Sequence, residues 1–309
     1  MTTAPGSAAT DLVPVLEVGG THVIAALIDR SGPDPRIVQE ERFDLDSAGT
    51  AHEIVRTLAA AARTVAVPRG STWGVAIPGP FDYDTGIARF TGVGKFDSLD
   101  GVDLGAALAA EIDEVAGEFV FVNDAVAYGL GEYTSGSARG YRRVVCLTLG
   151  TGIGSAFLAD GDPVDSGDRV PPHGYAYRVP WQGRPLEETV SRRAIRRRYA
   201  ELTGTEDLVD VRDIADRARE GRAEARAAVD SAFGALGEAM APWIERFAAD
   251  VLVIGGSMSA SMDLIDAPLR RGLARGVPSL ADLAVTRAEH VADAPLFGAA
   301  SWAVGRDSA

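Results

Sequence analysis

Three times along the chain an apolar stretch runs into a glycine turn with a hydroxyl beside it. Val13 to Val18 meets Gly19-Gly20-Thr21, Arg143 to Leu149 meets Gly150-Thr151-Gly152-Ile153-Gly154, and Val251 to Ile254 meets Gly255-Gly256-Ser257. Glycine lets backbone N–H groups approach an oxyanion closely, and Thr21, Thr151 and Ser257 add hydroxyl donors, a set suited to phosphate oxygens. No turn leads into Gly-Lys-Ser/Thr and none has dinucleotide-fingerprint spacing, so the P-loop and the Rossmann turn are not indicated. Taken singly, each turn is equally a hairpin. A fourth candidate is Asn123-Asp124, directly after the apolar run Phe119 to Val122. A carboxylate at a strand end can accept the proton of an attacking hydroxyl, with the amide fixing a neighbouring hydroxyl. The same pair also suits a helix N-cap.

The basic run Arg192, Arg193, Arg196, Arg197 and Arg198 reads as a solvated helix face rather than a phosphate patch. Thirty Lys plus Arg against 44 Asp plus Glu give a net charge of −14, which argues against nucleic-acid or acidic-membrane partners. Cys146 is the single cysteine and only His22, His52, His173 and His290 are present, so neither a disulfide framework nor a Cys-rich zinc cluster is expected. Met1 to Thr10 lacks the basic and apolar regions of a leader, and no apolar run approaches the roughly 20 residues of a spanning helix. A cytoplasmic protein without membrane association is expected.

The elements that must position these groups follow from periodicity. Val13 to Val18 and Val23 to Ile28 read as a hairpin, Glu53 to Ala66 as a helix, and Trp73 to Ile77 as a strand ended by Pro78-Gly79-Pro80. Leu104 to Val115 reads as a helix, Phe119 to Val122 as a buried strand, and Ala125 to Tyr133 as a helix. Arg143 to Leu149 pairs with Ser155 to Ala159, after which Asp160 to Pro185 reads as a long functional loop. Helices follow over Leu186 to Leu202, Val211 to Glu220, Ala223 to Phe247 with a kink at Pro242, and Pro295 to Val304, interrupted by a strand at Val251 to Ile254. Strands alternating with helices over 309 residues predict a mixed α/β protein of two domains. The 35 glycines are expected to mark where backbone meets ligand.

From Leu12 to Val304 these motifs, in this order, resemble those of the ROK-family sugar kinases, a branch of the actin-like hexokinase superfamily. Leu16-Glu17-Val18-Gly19-Gly20-Thr21-His22 resembles the first phosphate motif, and Gly74 to Pro80 the Pro-Gly sugar segment. Val122-Asn123-Asp124-Ala125 resembles the catalytic Asn-Asp, Leu149 to Gly154 the second phosphate motif, and Val253 to Ser257 the adenosine motif. The resemblance implies two actin-like (ribonuclease H-like) α/β domains with mixed sheets flanking a cleft, residues 11–122 plus 293–309 and residues 123–292. It implies ATP-dependent phosphorylation of a primary hydroxyl with Asp124 as base and a homodimer as the assembly. Pro78, Gly79, Asn123, Asp124, His173 and Glu187 would bind sugar. Gly19, Gly20, Thr21, Gly150, Thr151, Gly152, Gly154, Gly255, Gly256 and Ser257 would bind ATP, and Glu17 would hold Mg2+, directly or through water. The plainer role for Glu187 is that of a solvated glutamate in a helix first turn.

Three departures bear on substrate. Glu17 stands where the family carries Asp. Aligning the family's Glu-x-Gly-His on His173 puts Val170 and Pro172 at the Glu and Gly positions, leaving His173 either a substrate contact or an ordinary loop histidine. The zinc-binding Cys motif is absent, so no structural zinc is expected. Asp165 and Asp168 are nearby candidates for the missing carboxylate. Losing one polar sugar contact should change selectivity. The expected acceptor is glucose or a ring-altered analogue: an amino sugar such as kanosamine or glucosamine, or a C7 cyclitol of secondary metabolism, including antibiotic biosynthesis. A catalytically impaired sugar-binding protein is the alternative supported by Glu17 and by the incomplete Glu-x-Gly-His motif. A sugar-responsive repressor is disfavoured because its winged helix of about 60 to 80 residues has no counterpart before the first strand. Polyphosphate as donor would need a basic track.

Overall fold

The protein is described here by a computed structural model covering residues 11–67, 70–112, 116–205 and 208–306. The polar stretch Met1 to Thr10 and the expected helix end at 113–115 lie outside the described residues. Two α/β units are present: one runs through Ser135 and takes in the segment from Asp293, the other is Gly136–Ala292.

The first unit comprises β1 (Leu12–Val18), β2 (His22–Asp29), β3 (Arg36–Asp44), α1 (Ala51–Ala62), β4 (Ser71–Ile77), a short pair β5 (Phe81–Asp82) and β6 (Ile87–Ala88), α2 (Leu104–Ile112), β7 (Ala116–Asn123), α3 (Asp124–Ser135) and the helix Ala294–Arg306. Its sheet has the order β3-β2-β1-β4-β7, antiparallel over the first three strands and parallel over the last three. The β1–β2 hairpin closes with Val18 opposite Val23, as its pattern predicts. β3 escaped the sequence reading because it is an edge strand, largely charged and exposed, with no apolar run to announce it. Thr50 starts α1: its hydroxyl accepts the Glu53 N–H at 3.3 Å while Glu53 Oε2 accepts the Thr50 N–H at 2.8 Å. The unit runs past 122 to Ser135 because α3 packs on the carboxy-terminal helix.

The second unit comprises β8 (Arg143–Leu149), β9 (Ile153–Ala159), β10 (Asp162–Pro163), β11 (Pro180–Trp181), β12 (Arg184–Pro185), α4 (Glu187–Val190), α5 (Arg192–Thr203), α6 (Val211–Arg219), α7 (Ala223–Phe247), β13 (Val251–Gly255), α8 (Met262–Gly276) and β14 (Ala284–Arg287), which makes the carboxy-terminal helix α9. Its sheet, β10-β9-β8-β13-β14, repeats the antiparallel-then-parallel pattern of the first, a duplication without a sequence repeat. The helix expected over Leu186 to Leu202 breaks at Ser191, whose extended backbone and hydroxyl cap α5 by accepting the Ala194 N–H. α7 continues through Pro242 as one element. α8 was not legible in the sequence, where Pro268 and Gly272 interrupt a helical pattern. None of the described helices is long and apolar enough to cross a membrane.

Many glycines serve packing rather than ligand. A Cβ on Gly298 of α9 would lie 1.7 Å from the Ala127 carbonyl oxygen of α3, and one on Gly131 would lie 2.0 Å from that of Ala294. Gly74 of β4 meets Ala299 in the same way at 2.2 Å. In the second unit Gly237 of α7 and Gly272 of α8 play the matching part, each with a backbone oxygen 2.2 Å from the Cβ position. Gly298→Ala should therefore overpack the α3–α9 contact and lower stability by about 1–3 kcal/mol or more. Gly305→Ala, which meets nothing within 4 Å on the same helix, should raise it by about 0.5–1 kcal/mol through helix propensity. Thermal melts of the two variants check the pair; equal shifts would exclude the packing account.

Candidate active site

In the first unit β1, β4 and β7 lie side by side and parallel, so their carboxyl ends share one edge, where α/β sheets collect ligands. β1 leads to the Gly19-Gly20-Thr21 turn, β4 to Pro78-Gly79 and β7 to Asn123-Asp124, with Ile77 directly opposite Asn123.

Asn123 turns out to be the helix cap that its residue type also permits. Its Oδ1 accepts the N–H groups of Ala125 and Val126 at 3.0 and 3.3 Å, while Nδ2 donates to the Tyr83 hydroxyl at 2.9 Å. Tyr83 donates onward to the Ile77 carbonyl at 3.3 Å. Only the second amide hydrogen is left for a ligand. Asp124 follows half-buried at the first position of α3, its Oδ1 accepting the Ala125 N–H at 2.9 Å. Burial pushes its carboxyl above the usual carboxylate range; the Lys95 ammonium pulls it down, and the Glu17 carboxylate adds to the rise. Lys95 and Tyr83 were missed in the sequence. Among the 30 Lys and Arg of the chain Lys95 is the one lysine, a signal that a count by residue type would have raised.

Glu17 and His22 face each other across the first turn, Oε2 to Nε2 at 3.5 Å, with side chains 20% and 23% exposed. The turn closes through Gly19 N–H to the His22 carbonyl at 2.8 Å, and a Cβ on Gly19 would stand 2.9 Å from His22 Cε1. A side chain at Gly19 would have to displace the His22 imidazole, whereas Gly20 has open space at its Cβ position apart from Lys95 Cδ, 3.9 Å away. Thr21 is exposed; Pro78 is buried and Gly79 half-buried.

In the second unit β8 and β13 are parallel neighbours with Gly255 opposite Thr148, which brings the other two turns together. Gly256, at φ 74, packs so that a Cβ would fall 2.6 Å from the Leu149 oxygen; the Gly150 Cβ position is 3.5 Å from Ser257 Oγ. Gly150 donates to the Gly152 carbonyl at 3.1 Å and its own carbonyl accepts the Arg192 N–H at 3.1 Å. Thr151 is exposed at the tip, and Gly154 lies inside β9 opposite Thr148 rather than in the turn. Beside the turns opens a cavity of about 390 Å³ whose walls include Ser257, Met258, Phe233 and Leu264, with the Arg192–Asp210 ion pair among the lining groups. An apolar body of that size with a few polar groups fits a nucleoside. The Arg212 N–H and the Arg192 guanidinium hold Asp210 below the usual carboxylate range.

The arginine run is thus not simply a solvated face. Besides Arg192, Arg196 donates to the Val209 carbonyl just before α6 at 3.0 Å and Arg197 to that of Glu188 in α4 at 2.8 Å; Arg193 and Arg198 stay exposed.

Glu187 meets the second turn: its Oε2 accepts the Ile153 N–H at 3.2 Å and lies 2.3 Å from a Cβ on Gly152, so only glycine at 152 tolerates it there. His173 is exposed, at φ 59, with its ring 5.6 Å from Tyr175; Arg178 covers Tyr175 and Tyr177. Buried Ser155 anchors this segment, donating to the Gly174 carbonyl and accepting the Ala176 N–H. Val170 belongs to the core, while Asp165 packs its backbone against Gly174 and Asp168 is exposed. Among the described residues no group of three or more His, Cys, Asp or Glu is placed to hold a metal.

The ROK family model matches residues 14–306. The chain belongs to the ROK family. It is 29% identical to the glucokinase of Thermotoga maritima over 93% of this chain and 95% of that protein. A ROK hexokinase structure from Thermus thermophilus superposes with TM-score 0.78 at 22% identity, over 96% of this chain and 99% of that one. A ROK glucokinase from Streptomyces griseus, solved with glucose and AMPPNP, gives TM-score 0.74 at 23% identity, over 95% and 99%. The chain is a glucokinase-like ROK phosphotransferase with the fold of those structures.

The junction of the second and third turns should be intolerant of a side chain at one glycine and not at its neighbour. Gly256→Ala, strained at positive φ and overlapping the Leu149 backbone, should lower the melting temperature by the equivalent of about 1–3 kcal/mol. Gly150→Ala, in ordinary van der Waals distance of Ser257, should stay within about 0.5 kcal/mol of the parent.

Proposed function

We propose that this ROK protein transfers the γ-phosphoryl group of ATP to the primary hydroxyl of a hexose or hexose analogue, with Asp124 as general base. The observation that carries this reading is Asp124 itself. It is a carboxylate at the shared carboxyl edge of three parallel strands, half-buried, with its pKa raised towards the range where a base works best. The S. griseus glucokinase, which binds glucose and an ATP analogue on the same fold, supports it.

Pro78, Gly79 and Asn123 line the acceptor's place beside Asp124, with Glu187 and His173 as candidates for further hydroxyls. The Gly19–Thr21, Gly150–Gly154 and Gly255–Ser257 turns offer N–H and hydroxyl donors to phosphates, and the cavity beside Ser257 takes the adenosine. The donor set suits Mg2+, which is held by one or two carboxylates together with substrate phosphates; Glu17 is the carboxylate at the first turn. When bound, Mg2+ would spread the charge of the phosphoryl oxygens. Asp124 takes the acceptor's proton as the oxygen attacks, and Asn123, locked by Tyr83 and the α3 N–H groups, keeps that carboxylate at its post.

The acceptor reading rests on Val170 and Pro172. Core burial of Val170 leaves no carboxylate where the family pattern has one, and a lost polar contact changes selectivity, so a ring-altered acceptor, an amino sugar such as kanosamine or glucosamine or a C7 cyclitol, stands beside glucose in this reading. The contact of Glu17 with His22 is the observation that favours a catalytically impaired sugar binder. A coupled ATP-consumption assay over glucose, mannose, glucosamine, kanosamine, N-acetylated sugars and cyclitols decides: turnover on a hexose-like acceptor is expected, and none on any acceptor would overturn the kinase reading. Asp124→Asn should fold normally and lose about 10²–10⁴ in kcat. Because the folded carboxyl titrates above its ordinary value and works ionised, kcat/KM should fall with acid at a pH above the usual carboxylate range. A limb at or below that range would refute the environment assigned to Asp124.

A further inference from the structure

We propose that Lys95 is a second catalytic residue of the transfer, the ammonium that meets the moving phosphoryl group between the first glycine turn and Asp124; this rests on the kinase reading above. Every other basic side chain among the 30 Lys and Arg is arginine, and this one position carries a compact three-donor point charge.

The loop that bears it is built to aim it. Asp97 Oδ1 accepts the N–H groups of Val93 and Gly94 at 3.0 and 3.1 Å, folding the segment before Lys95 into a turn. Phe96, directly after it, is fully buried against Phe90 with ring centroids 5.2 Å apart, yet takes the left-handed conformation at φ 59. Its N–H donates to the Ser47 carbonyl at 2.7 Å, and Ser98 donates to that of Gly49 at 2.7 Å. A bulky aromatic residue holds left-handed backbone only where its surroundings over-determine it, and such positions gather at functional sites.

The result is a half-buried lysine whose Cδ lies 3.9 Å from the Gly20 Cβ position. Its charge is felt at Asp124. Among the described residues no salt bridge takes it up, and the Glu17 carboxylate stands against His22 instead. Nothing else lies within 4 Å of the Gly20 Cβ position, so an oxyanion seated on that turn is within reach of the lysine side chain. In the transfer the O–P bond to ADP breaks as the acceptor oxygen bonds to phosphorus, and the acceptor's proton passes to Asp124. Negative charge is spread over the three equatorial oxygens throughout, and a fixed cation beside them lowers the barrier.

Lys95→Met keeps the aliphatic stem and deletes the charge; Lys95→Arg keeps the charge. With the best acceptor from the panel, the Met variant should retain its melting temperature and lose about 100-fold or more in kcat, with acceptor KM within about threefold. The Arg variant should recover to within about tenfold of the parent. A Met variant within about threefold of parental kcat, or an effect confined to acceptor KM, overturns the proposal while leaving the kinase reading intact. An independent arm needs neither turnover nor a variant, because the chain offers acylating reagents a single ε-amine. Acetic anhydride labelling, read by peptide mass, should be slowed at Lys95 by about fivefold or more in the presence of MgATP, with the α-amino group as internal control. Unprotected Lys95 overturns the proposal; an inactive wild type over the whole panel instead sinks the kinase reading, and the labelling still decides Lys95.

Discussion

The first unit depends on how closely α9 can approach α3 and β4. Gly298, Gly131 and Gly74 have no Cβ, and backbone oxygens occupy the space each would need. Three such contacts lock the carboxy-terminal helix across the sheet, and the Trp302 indole adds a hydrogen bond to the Phe121 carbonyl of β7 at 2.9 Å. α3 is thereby fixed at the end of β7. Asp124 stands at its first turn, where the helix dipole favours an ionised carboxylate while burial disfavours it. The general base proposed for Asp124 needs that compromise between being charged and being basic.

The same construction recurs in the second unit, where α7 and α8 approach through Gly237 and Gly272 above a sheet of identical topology. Each unit then uses the carboxyl ends of its central parallel strands. In one they carry a hairpin turn, a Pro-Gly step and a carboxylate; in the other, two glycine turns that meet at Gly256 and open on a nucleoside-sized cavity.

Several residues hold two jobs at once. Asn123 is a helix cap and the neighbour of Asp124, and the cap consumes most of its hydrogen-bonding capacity. Gly19 serves its own hairpin, Gly152 makes room for the Glu187 carboxylate, and Arg192 starts α5, pairs with Asp210 and lines the cavity. Motif position alone does not separate such roles, because the local geometry that caps a helix or tightens a turn is also the geometry that presents a polar group at a strand end.

The sequence by itself determined the strands that feed the glycine turns, the mixed α/β class, the ordered motifs and the position of Asp124, because each is encoded by contiguous periodicity and residue type. β3 and α8 were not legible, the first because an edge strand has no buried face, the second because glycine and proline interrupt its pattern to serve α7. The sole lysine was visible as a count, yet nothing local tied residue 95 to residues 20 and 124. Only the tertiary structure decided that pairing, as it decided which glycines approach other backbone and which remain open to ligand. Those properties belong to surfaces assembled from segments far apart in the chain, and no spacing within one segment carries them.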